Sequence, residues 1–311
     1  MVLLHSERAI VRYGVNKQIR KGMSARTLKQ ILLQSKIDSP IAFCIVHWNA
    51  PDFLLLTVSQ IELLYPNSKI YILDNGSRQI HLTSIMAGLK KFNNVTLFAS
   101  LGCPNWAKKF GLDTLFEWQS HTTGLQFLLN YSAKQSDEIA VFLDQDCILS
   151  TRVDELFSKF SKDIILIGAR DQLIVPNDYG PLKKGKTRNF YNFIHASFMI
   201  LQPNRINQLF GDSSFYDKRT EYEPYHGITF KAFGRILFIE PRMHAKIPFL
   251  TSYAYNETIY AWHAWYSSRT SGIHSASLDS YPVSWLREVR KIEYDFMMQV
   301  HRNTTAELEV L

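Results

Sequence analysis

Residues 139–149 read IAVFLDQDCIL, an apolar run that ends in two carboxylates, Asp144 and Asp146, one residue apart. Carboxylate oxygens suit a hard divalent cation such as Mg2+ or Mn2+, and Mg2+ is commonly held by one or two carboxylates together with the phosphates of a substrate. A diphosphate leaving group needs such neutralisation. The competing explanation is an Asp pair that caps a following helix, expected over 152–160. Two further polar groups end apolar runs in the same way: His47, Trp48 and Asn49 after 41–46, and Asp74-Asn75-Gly76-Ser77 after 69–73.

The elements that must position these groups alternate. The apolar runs at 41–46, 69–73, 95–99, 138–143, 164–169 and 194–201 read as strands, several with the continuous hydrophobicity of strands buried on both faces. Residues 52–64 and 118–131 read as helices between them, and 284–300 as a closing helix of mixed charge. This order predicts an α/β domain with a mostly parallel central sheet and flanking helices. In such sheets ligands bind beyond the carboxyl ends of the strands, so the three polar groups are expected at one edge. Neither GxGxxG after the first strand nor GxxxxGK[ST] is present, which excludes a dinucleotide fingerprint and a P-loop.

The 311 residues, 46% hydrophobic and 20% charged, exclude a disordered or low-complexity chain and allow one large or two small domains. No apolar stretch approaches the roughly 20 residues needed to cross a bilayer. The opening MVLLHSER places no basic region ahead of its apolar residues, so no secretory signal is expected. Three cysteines, Cys44, Cys103 and Cys147, without a CxxC argue against a disulfide framework or a thiolate zinc site and for a reducing, cytoplasmic compartment.

The net charge of +7 is unevenly spread: residues 1–39 hold eight basic residues against Glu7 and Asp38, and the remainder is close to neutral. Leu28, Ile31 and Leu32 follow helical spacing after a Ser24 cap, which predicts a basic helical extension over 1–39. Such an arm either packs as a solvated helix or meets the inner face of an anionic membrane, at about 1 kcal/mol per basic residue near lipid. No aromatic-basic nucleic-acid module is present, so no nucleic-acid partner is expected.

With these residues in view, the sequence resembles glycosyltransferases of the GT-A fold, and is most similar to the inverting family-2 enzymes, over roughly residues 40–245. The likeness rests on IAFCIVHWN (41–49), YPNSKIYILDNGS (65–77), IAVFLDQDCIL (139–149) and the stretch 215–244. It implies a catalytic domain over 40–250 and a helical, aromatic extension over 251–311. It also implies a nucleotide-sugar donor, a divalent metal (Mn2+ or Mg2+), and a glycan, lipid-linked or other hydroxyl acceptor. By resemblance, Asp74 would contact the base, and His47, Trp48 and Asn49 would line the base and ribose pocket. Asp144 would face the ribose or metal, Asp146 would bind the metal, and His244 would be a further ligand. The usual acidic pair reads Glu221-Tyr222-Glu223-Pro224 here, with Glu223 the first choice for the base and Glu221 the second.

In an inverting transfer that carboxylate removes the acceptor proton as the hydroxyl attacks the sugar carbon. The run WYSSR (265–269) makes Arg269 a candidate for the diphosphate. Residues 178–192 read as a loop between two strands whose four basic residues could meet phosphates, and His195 after it is either a core or a cleft histidine. Trp262, Trp265 and Tyr266 fall at helical spacing, as packing residues or as an acceptor platform. A nucleotidyltransferase of similar fold and a non-catalytic nucleotide- or glycan-binding module are the alternatives. The first lacks its expected Gly-rich loop, and the altered acidic pair favours the second.

Overall fold

The apolar run after Pro40 forms β2 (Ile41–His47), in which every residue after Ile41 is buried. It lies between β3 (Lys69–Asp74) and β5 (Ile139–Asp144) and runs parallel to both. β4 (Val95–Ser100) continues this parallel set beyond β3. The computed structural model describes residues 28–33, 37–100, 120–174, 190–211, 215, 227–248, 250–264 and 283–310.

Side chains alternate across β2, and each set meets a different layer. Phe43 and Ile45 pack with Leu54, Val58 and Ile61 of α1 (Pro51–Leu64) and with Ile85 and Leu89 of α2 (Gln79–Leu89). Ala42, Cys44 and Val46 pack with Leu125, Leu128 and Leu129 of α3 (Ser120–Lys134). Both described cysteines, Cys44 and Cys147, are free and buried. Burial pushes both thiols up from their ordinary value, as expected of small core hydrophobes.

β1 (Leu28–Leu33) borders the sheet, antiparallel to β4. This corrects the helical reading of Leu28, Ile31 and Leu32. A six-residue segment with four apolar residues is ambiguous in period, and the open edge of β4 offers it a ladder of backbone partners that a short helix lacks.

The sheet is parallel only in its core. Beyond β5 come β8 (Phe190–Leu201), antiparallel to it, and β7 (Leu166–Ile174), antiparallel to β8. β9 (Ile236–Met243) is shared. Its first half runs parallel to β7, and its second half pairs antiparallel with β10 (Leu250–Tyr255). β11 (Thr258–Ala264) and the short β6 (Cys147–Leu149) complete an eleven-strand order among the described residues, β1-β4-β3-β2-β5-β8-β7-β9-β10-β11-β6. β6 ends that order, yet it follows β5 after a two-residue turn. The strands from β8 to β6 must therefore curl round so that the last one returns to the carboxyl end of β5.

Residues 250–264 are thus a β-hairpin that places Trp262 on a strand; Trp265 and Tyr266, the other members of the helical spacing, lie outside the described residues. The extension expected from 251 begins inside β10. The helix expected over 152–160 is the single turn α4 (Asp154–Phe157). A Pro-initiated helix, α5 (Pro203–Phe210), follows β8, and α6 (Gly227–Lys231) precedes Gly234, β9 and His244, the order read from the sequence. α7 (Val283–Glu309) packs on α1. Arg290 pairs with Asp52 at 2.7 Å, and Gln60 bonds both His301 and Thr304. Among the described residues no helix is long and apolar enough to cross a membrane.

The amino ends of the parallel strands are closed by a buried ion pair, Lys69 to Asp137 at 2.8 Å, with Ser132 donating to the same carboxylate. The carboxyl ends are approached by the start of α3, where Gly124 lies against Leu73 and Val46. A Cβ at Gly124 would stand 2.7 Å from Leu73 Cδ2 and 3.1 Å from Val46 Cγ2. Gly124→Val is expected to force α3 away from β2 and β3 and to lower stability by about 1–3 kcal/mol, read by urea unfolding.

Candidate functional site

The loop after β2 and the turn after β3 are stapled together. The Ala50 backbone N–H donates to His47 Nε2 at 3.1 Å, so that nitrogen carries no proton. His47 Nδ1–H then donates to Asp74 Oδ1 at 2.9 Å. The second oxygen of Asp74 accepts the Ser77 backbone N–H at 3.0 Å. Gly76 adopts φ 80° to make this turn, and Asn49 adopts φ 53°, a left-handed conformation that Asn tolerates. Asn49 is fixed from both sides, by Ser77 Oγ on its N–H and by the Arg78 N–H on its Oδ1.

His47 and Asp74 are 0% and 1% exposed. The role their geometry supports is holding the two strand ends, and neither offers surface to a ligand in this arrangement. Trp48 is half-buried, and its backbone is gripped on both sides by Gln145, whose side-chain amide accepts from the Trp48 N–H and donates to its carbonyl. The residue between the two aspartates therefore ties the turn after β5 to the loop after β2.

Asp144 ends β5 and Asp146 precedes β6, so the turn between them crosses from the parallel core to the curled part of the sheet. The β11 pairing places His263 opposite Cys147, next to this turn, and the Ala264 N–H donates to the Asp146 carbonyl at 2.9 Å. His263 Nε2 lies 3.6 Å from Asp144 Oδ2 and 3.4 Å from Asp146 Oδ1. His121, at the start of α3, approaches Asp144 from the solvent side at 3.8 Å. The Asp144 side chain is 20% exposed, while those of Asp146 and His263 are 7% and 4% exposed. The cluster thus opens towards Asp144.

One ligand atom from each of Asp144, Asp146 and His263 falls within 4.8 Å of the others. Ligand atoms about 2.1 Å from a common ion stand roughly 3–4 Å apart, and the two distances from His263 to the carboxylates fall in that range. Two carboxylate oxygens and one imidazole nitrogen form a donor set suited to a divalent metal.

His244 does not belong to this cluster. Its Nδ1 accepts the backbone N–H groups of Lys246 and Ile247, and its ring packs edge-on against Trp262 and Phe296. Trp262 and His263 are consecutive in a strand and face opposite sides of it, so His244 shares the face turned away from the aspartates. The histidine brought to Asp144 and Asp146 is His263, and this corrects the placement of His244 as their partner. The signal was present in TIYAWHA (258–264), whose alternation as a strand separates Trp262 from His263. Glu221, Glu223 and Arg269 lie outside the described residues, as do the basic loop over 178–189, Trp265, Tyr266, Cys103 and the arm before residue 28.

A further carboxylate, absent from the sequence reading, stands behind the cluster. Glu293 of α7 is 0% exposed, and neither of its oxygens has a hydrogen-bond partner among the described residues. Burial is the main cause that pushes its carboxyl up to about 8, with the Asp146 charge adding to the shift and Arg290 opposing it.

No protein-family profile matches the chain. The curated proteins give no match either. Among solved structures the chain is similar to the galactosyltransferase LgtC in complex with donor and acceptor sugar analogs, at TM-score 0.43 and 11% identity over 80% of this chain and 95% of that one. It is similar to the mannosyltransferase PcManGT from Pyrobaculum calidifontis in complex with GDP-Man and Mn2+, at TM-score 0.41 and 9% identity over 97% and 86%. It is also similar to S. aureus TarS, at TM-score 0.38 and 12% identity over 71% and 36%.

Between about pH 4.5 and 8 native Glu293 holds a proton that the unfolded chain has released, so this group makes stability fall as pH rises through that window. Glu293→Gln is expected to remove that component. In chelator-treated protein, urea unfolding across the window should show the wild type losing stability faster than the variant, by up to about 1.4 kcal/mol per pH unit. Parallel pH profiles would refute a protonated native Glu293.

Proposed function

We propose that the chain is a glycosyltransferase that moves a sugar from a nucleotide-sugar donor to an acceptor hydroxyl with the help of a divalent metal. The observation that carries the reading is the convergence of Asp144, Asp146 and His263 at the carboxyl ends of the parallel strands. Ligands are expected at that edge of such a sheet.

The positions of the described residues support these roles. Asp146 and His263, nearly buried, would hold a cation from the protein side, and Asp144, more open, would face the donor and share the ion. Trp48 and Asn49 border the same edge and would line the nucleotide pocket, while His47 and Asp74 keep that border in place from behind. The metal, when bound, offsets charge that grows on the departing diphosphate, and an imidazole in the donor set favours Mn2+ slightly over Mg2+. Glu223, or Glu221 next, takes the acceptor proton in a transfer with inversion. Arg269 would add a positive charge for the diphosphate. The basic residues of the arm would draw the protein to an anionic surface such as the inner face of a membrane.

Thermal shift with UDP-, GDP- and dTDP-sugars, each with and without Mn2+, is expected to show one nucleotide class stabilising the protein only when Mn2+ is present. Slow release of the free nucleoside diphosphate should accompany it. Binding without release would mark a non-catalytic module. Asp146→Ala is expected to abolish the Mn2+-dependent shift, and a variant that keeps the shift in full overturns the assignment of the ligands.

A further inference from the structure

A chain of hydrogen bonds, buried as far as Ser197 and part-buried at His195, runs from His263 away from the aspartates. His263 Nδ1 lies 3.1 Å from the Tyr253 hydroxyl, which lies 2.6 Å from Ser197 Oγ, which lies 2.7 Å from His195 Nδ1. Its last member is also bonded by the backbone, because the Ser197 N–H reaches His195 Nδ1 at 3.2 Å. Tyr253 and His263 come from adjacent strands and stack on each other. His195 and Ser197 come from β8, across the curl of the sheet, and the two histidine rings are 5.6 Å apart.

The direction of every bond in this chain is determined. A backbone amide only donates, so His195 Nδ1 is an acceptor without a proton. The Ser197 hydroxyl must then donate to that nitrogen, because an oxygen lone pair would face a nitrogen lone pair otherwise. A hydroxyl has one hydrogen, so Ser197 Oγ accepts from Tyr253. The Tyr253 oxygen, its hydrogen spent, accepts in turn from His263, which places a proton on His263 Nδ1. The remaining nitrogen, Nε2, is the one that stands 3.4 Å from Asp146 and 3.6 Å from Asp144.

We infer that His195, Ser197 and Tyr253 are positioning residues that hold His263 in the Nδ1–H tautomer and so present the Nε2 lone pair to the two carboxylates. A neutral lone pair beside two anionic oxygens repels them, and a cation shared by all three removes the repulsion. This rests on the cation-binding reading of the site, but the hydrogen bonds alone place the proton on Nδ1, and the neutral ring then carries its lone pair on Nε2. The partner of a metal-binding imidazole's other nitrogen is what selects the nitrogen offered to the metal.

Two measurements separate the parts. In chelator-treated protein at alkaline pH, two-bond proton–nitrogen correlation of the imidazoles is expected to show opposite neutral tautomers, Nδ1–H for His263 and Nε2–H for His195. Mn2+ titration by calorimetry is then expected to give about 10- to 100-fold weaker binding for Tyr253→Phe, with His263 shifted towards Nε2–H. Tyr253→Phe keeps the ring that stacks on Phe198 and His263, and circular dichroism checks its fold. Ser197→Ala breaks the chain one bond further away and should shift the tautomer in the same direction, while Ser197→Thr, which keeps the hydroxyl, should restore it. Wild-type His263 found as Nε2–H overturns the inference, as does a Tyr253→Phe protein that binds Mn2+ as tightly as wild type. A wild type that shows the Nδ1–H tautomer yet takes up no Mn2+ upholds the positioning chain and overturns the cation reading alone.

Discussion

Two carboxylates one residue apart repel each other, and this fold places Asp144 and Asp146 on a turn that is largely closed to water. Water screens such a pair at a surface, but that screening weakens as the groups are buried. The turn is needed because it carries the chain from β5, in the parallel core, to β6, the far strand of the curled sheet. What stands beside the pair therefore constrains the whole arrangement. His263 and His121 flank Asp144 from two sides, and a cation shared with the His263 Nε2 lone pair answers the repulsion.

The surroundings are built so that little has to move when charge arrives. Gln145 grips the backbone of Trp48, Thr57 Oγ1 donates to the Gln145 carbonyl, and the Ala264 N–H holds the carbonyl of Asp146. One strand end away, His47 and Asp74 satisfy each other and two backbone amides. Buried polar groups that are fully paired are stiff, because any displacement exposes an unpaired donor or acceptor. The loop after β2 and the turn after β3 thus form a rigid rim, and Asp144 is the acid in the cluster that faces outward.

Much of the parallel core was legible because continuous apolar runs ending in polar groups are what a doubly covered sheet requires. The runs at 41–46, 69–73 and 138–143 became β2, β3 and β5 with boundaries shifted by a residue at most. The Asp144 and Asp146 pair was legible for the same reason. His263 was not, because its relation to the aspartates depends on a pairing between β11 and β6 that joins residues more than a hundred apart. The aromatics around it also fit a helical period, and local spacing does not decide between the two. His244 looked equivalent as a late histidine, and only the alternation of the strands shows that it lies on the other face. Asp74 illustrates the opposite case: its place at a strand end was legible, but a strand-end carboxylate can face a ligand or a neighbouring loop, and His47 decides which.

Glu293 shows how far the charge problem reaches. A carboxyl with no hydrogen-bond partner among the described residues, at the closed side of the cluster, is tolerated only when it keeps its proton, and burial together with Asp146 holds it there. Its helix is drawn against α1 by Arg290 on Asp52 and by Gln60, whose side chain reaches Leu149 of β6, Thr304 and His301. α7 therefore seals the rear of the turn with a side chain that adds no third negative charge while it stays protonated. A cation between Asp144, Asp146 and His263 would offset the negative potential that helps keep that proton in place, so the occupancy of the cluster and the charge state of the helix behind it are coupled through Asp146.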